Sequence, residues 1–210
     1  MIAARARSLS GLYIILDPSV YPVRPLIEVL RTAAEAGCTL FQYRNKTASM
    51  KDAYVEALAL RQAAAEAGVL FIVNDRCDLA LAVDADGVHL GQRDLPFDLA
   101  RMVMGPDKLI GISTHNPDQV REATIRKPDY LGFGPIFTPG SKQDYDPVVG
   151  LEGLRVMRGL TSLPVFAIGG IQIDHVRDVM RVGADGVAII SAILKAPDIS
   201  HAVKSFLDQM

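Results

Sequence analysis

The sequence predicts one α/β domain that closes into a (β/α)8, or TIM, barrel. Three observations carry this prediction. Eight short apolar or β-branched runs alternate strictly with segments of helical spacing, a pattern of parallel strands joined by right-handed crossovers. Eight is the count at which such a sheet closes on itself, and 210 residues lies at the small end of the range for that barrel. Asp84-Ala85-Asp86-Gly87-Val88 and Gly183-Ala184-Asp185-Gly186-Val187 are near duplicates, as expected of units built to one plan. The competing architecture is an open doubly wound sheet.

Residues 1–10 read as a flexible tail and residues 11–210 as the barrel. The tail carries two arginines with no apolar run behind them, so it does not read as a signal peptide. Leu12 to Leu16 is a continuous apolar run stopped by Asp17-Pro18, a buried strand. Pro25 to Ala36 has helical spacing, with Gly37 as its C-cap. Thr39 to Arg44 is the second strand, and Met50 to Ala67 the second helix, stopped by Gly68. Val69 to Val73 and Gly87 to Leu90 are the third and fourth strands, with a short helical pattern around Leu79–Ala82 between them. Phe97 to Val103 is a short helix and Leu109 to Ser113 the fifth strand. Pro117 suits the first turn of a helix running to Arg126. Tyr130 to Gly134 is the sixth strand, followed by the longest irregular segment, Pro135 to Val149, and a helix from Leu151 to Gly159. Val165–Ile168 and Gly186–Ile190 are the last strands, separated by a helix from Asp174 to Val182. A helix from Ile199 to about Leu207 ends the chain.

Composition narrows the partners. Half the residues are hydrophobic, the formal net charge is −2 and the pI is about 6.1, so neither nucleic acid nor an anionic membrane surface is expected as the main partner. Cys38 and Cys77 have neither disulfide-framework nor zinc spacing and read as buried free thiols. No apolar run reaches the ~18 residues of a membrane span. The expected location is cytoplasmic. A homo-oligomer built through the outer helices is compatible with the sequence, although no decisive patch marks it.

In such a barrel the residues just past each strand share one mouth, where the chemistry is done. Two consecutive strands end in carboxylates, Asp75 and Asp94, and paired carboxylates suit Mg2+, which takes one or two of them and keeps its other positions for water and phosphate. Around them the strand ends supply Gln42, Arg44, Lys46, Asn74, His89, Gln92, Ser113 and His115, and the sixth loop supplies Thr138, Ser141 and Lys142. A salt-bridged rim is the plainer reading of this set. A pyrophosphate–metal site is the functional one, with Arg44, Lys46 and Lys142 facing the polyphosphate. Gly169-Gly170 and Ser191 follow strands seven and eight, the corner that binds a phosphate in many barrels. His89 faces inward and is either a hydrogen-bonded core residue or part of the site. His115 reads as a loop brace, and His175 and His201 as surface residues. No Ser–His–Asp order or nucleophile elbow supports acyl transfer.

The segments 42–46, 74–76, 89–94, 111–115, 134–137, 167–171 and 190–192 together resemble the thiamine-phosphate synthase family, in that family's order and over about Gly11 to Leu207. The resemblance implies a TIM barrel that joins 4-amino-2-methyl-5-(diphosphooxymethyl)pyrimidine to 4-methyl-5-(2-phosphooxyethyl)thiazole, releasing pyrophosphate by a dissociative route. It implies that Gln42, Arg44, Lys46, Asn74, Ser113 and Lys142 hold the pyrimidine diphosphate and that Asp75 and Asp94 bind Mg2+. It further implies that Pro139 to Ser141, Gly170, Ile190 and Ser191 contact the thiazole phosphate. Arg44, Lys46 and Lys142 are the expected catalytic cations, with His89 and Thr138 added on the substrate side. The sixth loop departs from the family's Thr-x-Thr-Lys: it reads Thr138-Pro139-Gly140-Ser141-Lys142, with Pro139 at the first threonine. Two rivals are a thiazole tautomerase-like isomerase of the same fold, which tends to lack the metal carboxylates and the diphosphate-binding set, and a non-catalytic ligand-binding barrel.

Overall fold

The computed structural model describes residues 9–138 and 146–210. Eight strands, β1 (Gly11–Leu16), β2 (Leu40–Tyr43), β3 (Leu70–Asn74), β4 (Gly87–Leu90), β5 (Leu109–Thr114), β6 (Tyr130–Phe133), β7 (Val165–Ile168) and β8 (Gly186–Ile189), pair in sequence order, all parallel, and β8 returns to β1. The open doubly wound sheet is therefore excluded. Outside the barrel lie α1 (Leu26–Glu35), α2 (Met50–Ala67), α3 (Cys77–Ala82), α4 (Phe97–Met104), α5 (Pro117–Arg126), α6 (Gly150–Arg158), α7 (Ile173–Val182), α8 (Ser191–Leu194) and α9 (Ile199–Leu207). The four-residue α8 was not legible in the sequence, being too short for a periodic pattern, and β5 runs one residue further than predicted.

Local chemistry starts and stops these helices. Ser49 accepts from the Asp52 N–H ahead of α2, Asn116 from Gln119 ahead of α5, and Asp198 from His201 ahead of α9. Each bond satisfies an N–H that a helix start leaves unpaired. The duplicated Asp-Gly-Val segments also find their reason. Asp86 and Asp185, each just before its strand, accept from N–H groups at the start of the preceding strand, at Phe71 (2.9 Å) and Val165 (2.8 Å). Asp129 does the same for Ile110 (2.8 Å). The barrel's N-terminal end is thus stitched by carboxylates that have no access to the mouth.

Alternation along each strand makes two cores. Outward residues such as Ile14, Phe41, Phe71, Val88, Ile110 and Leu131 pack against the helices in a wide aliphatic shell. A fully buried Leu or Phe there contributes about 1.5–3 kcal/mol. Inward residues form a smaller cluster around Tyr13, Ile15, Leu40, Ile72, Tyr130 and Phe166. The rings of Tyr13, Tyr130 and Phe166 meet edge to face at 5.2–5.8 Å. Leu9, the first described residue, is buried in this cluster. Cys38 and Cys77 are buried and free, as read from the sequence. No described helix is long and apolar enough to cross a membrane.

Candidate active site

A cavity of about 970 Å³ opens at the C-terminal ends of the strands. One of its walls is built from charged side chains after β2, β3 and β4. Asp75 takes a left-handed conformation (φ 63°), which aspartate tolerates better than most residues, and its N–H donates to the His89 carbonyl at 2.8 Å. That bond ties the turn after β3 to β4. Lys46 Nζ lies 3.1 Å from Asp75 Oδ2. Asp94 Oδ2 accepts from the Gly91 N–H at 2.7 Å, which aims the carboxylate back over the end of β4. Burial first, and then Asp75 within hydrogen-bond reach, push the Asp94 carboxyl above its usual range, while the Gly91 N–H and Lys46 pull the other way. Two carboxylates so close repel until a cation comes between them.

Arg44 is held from behind. Its guanidinium pairs with the buried Asp17, which also accepts from the Ser19 hydroxyl at 2.6 Å and the Ser19 N–H at 3.0 Å. Sequence reasoning missed this partner, although its signal was present: Asp17 ends β1 as Asp75 follows β3. His115 Nδ1 lies 2.7 Å from the Gly134 carbonyl, which suits the bracing role read for it, and its Nε2 lies 3.5 Å from Asp146.

The floor is polar and buried. Gln42 Nε2 donates to Tyr13 Oη at 2.7 Å, and Tyr13 Oη lies 2.9 Å from Tyr130 Oη. Tyr130 Oη lies 3.2 Å from His89 Nδ1, and His89 Nε2 lies 2.9 Å from Ser113 Oγ. Burial lowers the His89 pKa to about 4, against the opposing charge of Asp75, so the ring is neutral at physiological pH. Burial raises both tyrosines well above their usual value. Gly111 makes room for this chain: a Cβ there would lie 2.1 Å from Tyr130 Cζ and 2.5 Å from His89 Nδ1.

The opposite wall is mostly backbone. Gly169 and Gly170 follow β7 with φ of 99° and 64°. A Cβ on Gly170 would lie 2.5 Å from the Thr138 carbonyl oxygen, so only glycine lets the two loops approach this closely. Phe137 donates its N–H to the Gly169 carbonyl at 2.9 Å, and its ring stacks on His175 at 4.1 Å. His175, read from sequence as a surface residue, is therefore partly buried and buttresses this loop. His201 is exposed.

The structure brings most predicted site residues to this one cavity. Arg44, Lys46, Asn74, Asp75 and Asp94 line the charged wall, Ser113 lines the floor, and Thr138, Gly170, Ile190 and Ser191 line the backbone wall. Gln42 and His89 do not line it; they are buried beneath it in the hydrogen-bonded chain. Pro139, Ser141 and Lys142 lie outside the described residues. Among the described residues no group of three or more His, Cys, Asp or Glu side chains could hold a metal ion. The charged wall thus offers a two-carboxylate donor set, which suits a hard divalent cation that fills its remaining positions with water and ligand oxygens.

A family model described as thiamine monophosphate synthase matches residues 12–193. The thiamine-phosphate synthase of Chloroflexus aurantiacus is 47% identical, covering 92% of this chain and 89% of its own, and that of Moorella thermoacetica is 42% identical over 92% of each. Among solved structures, thiamine phosphate pyrophosphorylase from Pyrococcus furiosus superposes with a TM-score of 0.87 at 39% identity, covering 97% of this chain and 96% of that one.

Proposed function

The chain belongs to the thiamine monophosphate synthase family and is a transferase of thiamine biosynthesis. On that premise we propose that it joins the pyrimidine diphosphate to the thiazole phosphate, with the diphosphate on the charged wall and the thiazole phosphate on the backbone wall. The observation that carries this reading is the convergence of Asp75 and Asp94 beside Lys46 in the cavity that Arg44 also lines.

The residues fit Mg2+. Asp75 and Asp94 would hold it, because a cation between them relieves the repulsion that burial and proximity impose on Asp94. When bound, Mg2+ supplies charge that offsets the negative charge growing on the departing pyrophosphate. Arg44 and Lys46 supply further positive charge to the same oxygens, and Asp17 fixes the direction of the guanidinium so that little reorganisation is needed. Asn74 and Ser113 bind and orient the pyrimidine. Gly170, Ile190 and Ser191 hold the thiazole phosphate so that its ring nitrogen captures the pyrimidine methylene cation once the carbon–oxygen bond to pyrophosphate has broken. We assign Pro139, Ser141 and Lys142 to the ligand side from their place in the sequence. No protein nucleophile is needed. Enclosure within the cavity limits competing capture of the methylene carbon by water. Substrates of this kind fit a cytoplasmic enzyme.

The test is incubation of the pure protein with both substrates, with Mg2+ and under rigorous chelation, followed by detection of thiamine phosphate. Product with the metal and none without it is expected. Equal product under chelation overturns the metal assignment, and no product in either arm overturns the reaction.

A further inference from the structure

We propose that Tyr13, Tyr130 and His89 form a hydrogen-bond relay of fixed sense that makes Ser113 a donor to the ligand, with Tyr130 as a positioning residue. The inference rests on the reading above only for the identity of the ligand. The sense follows from counting hydrogens. The amide nitrogen of Gln42 can only donate, so the Tyr13 oxygen accepts from it (2.7 Å). The single Tyr13 hydroxyl hydrogen then goes to Tyr130 Oη (2.9 Å). The Tyr130 hydrogen goes to His89 Nδ1 (3.2 Å), which must therefore be bare. A neutral imidazole with a bare Nδ1 carries its hydrogen on Nε2, and that hydrogen goes to Ser113 Oγ (2.9 Å). Ser113 has accepted and still holds its own hydrogen, at the one point where the chain reaches the cavity.

The surroundings preserve that sense. Tyr13 and Tyr130 are almost wholly buried, and no described buried side-chain polar atom lacks a hydrogen-bond partner, so reversing one link would require reversing all. If the Gln42 amide were turned over, Tyr13 would donate to it, every later link would reverse, and Ser113 would present an acceptor instead. The Ser113 carbonyl accepts from Gln92 Nε2 at 2.6 Å, which holds the backbone while the hydroxyl hydrogen stays available to the ligand. The relay therefore supplies a donor to a ligand acceptor atom over Ser113. In the pyrimidine diphosphate a ring nitrogen is such an acceptor.

Two measurements test this. Nitrogen-15 NMR of histidine-labelled parent protein should show His89 protonated at Nε2 and bare at Nδ1; the opposite tautomer overturns the relay. Steady-state kinetics of Tyr130→Phe should show KM for the pyrimidine diphosphate raised roughly tenfold, the loss of about one well-made hydrogen bond, with kcat and the thiazole phosphate KM little changed. An unchanged pyrimidine KM, or an equal rise in both KM values, overturns it, because a merely structural tyrosine would not split them. If Tyr130→Phe does not fold, Tyr13→Phe cuts the chain one link earlier and is judged the same way. Failure of the parent protein to make thiamine phosphate would refute the proposed reaction, and the tautomer would still decide the relay.

Discussion

The two walls of the cavity are made of different material. Between β2 and β4 the wall is side-chain charge: Lys46, Asp75 and Asp94, with Arg44 pinned by Asp17. After β7 and β8 it is main chain, bared by two glycines at positive φ and closed by Thr138. The first kind can be changed by exchanging one functional group while the backbone stays put. The second kind is a shape, and any added atom must displace a neighbouring loop. A wall of charges should therefore fail chemically with its fold intact, and a wall of backbone should lose affinity and stability together.

The largest effect should come from Asp75→Asn, which removes the charge and keeps a side chain that tolerates the left-handed backbone. Turnover should fall roughly 10²–10³-fold, the usual cost of removing one preorganised charge at a reacting centre, with little change in thermal midpoint. A variant that keeps parental turnover would break the distinction at its strongest point. Gly170→Ala comes next. Its left-handed backbone costs an L-residue about 1–2 kcal/mol, and the clash with the Thr138 carbonyl adds to that. The thiazole phosphate KM should rise roughly tenfold and the urea midpoint should fall, while the pyrimidine diphosphate KM stays near the parent's. If stability fell but the thiazole KM did not, this wall would be structural only.

The smallest effect concerns pH. In the folded chain Asp94 keeps its proton to higher pH than in the unfolded chain, through burial and the neighbouring Asp75. The stability this group contributes in acid is therefore lost as pH rises past its folded value. Asp94→Asn removes that loss. In metal-free buffer the variant should show a slightly higher urea midpoint than the parent at pH 7.5, a gap that closes on acidification. A variant less stable at both pH values would mean that Asp94 is structural and not held under repulsion for function.

The sequence made the charged wall legible because each of its residues sits directly past a strand end, where strand counting alone assigns a common rim. The eight strands were legible for a related reason: each is a short apolar run cut off by polar residues or glycine. The chain under the floor was not. Tyr130 bonds His89 across 41 positions and Tyr13 across 117, and nothing local distinguishes these tyrosines from ordinary core aromatics. Gln42 and His89 come from the strands read for them and lie beneath the cavity, a depth the sequence does not give, because alternation tells inward from outward and not rim from interior. Asp17 was passed over because Asp-Pro after an apolar run reads first as a stop signal.

Arg44 and Lys46 each face an acidic partner of the chain's own, Asp17 and Asp75. These acidic partners offset the fields of the two cations at short range. On the proposed assignment a diphosphate would gain full hold only by taking Lys46 away from Asp75, which would free that carboxylate for the ion arriving with it. Admission would then depend on an exchange of partners, a screen that charge counting along the chain would not reveal.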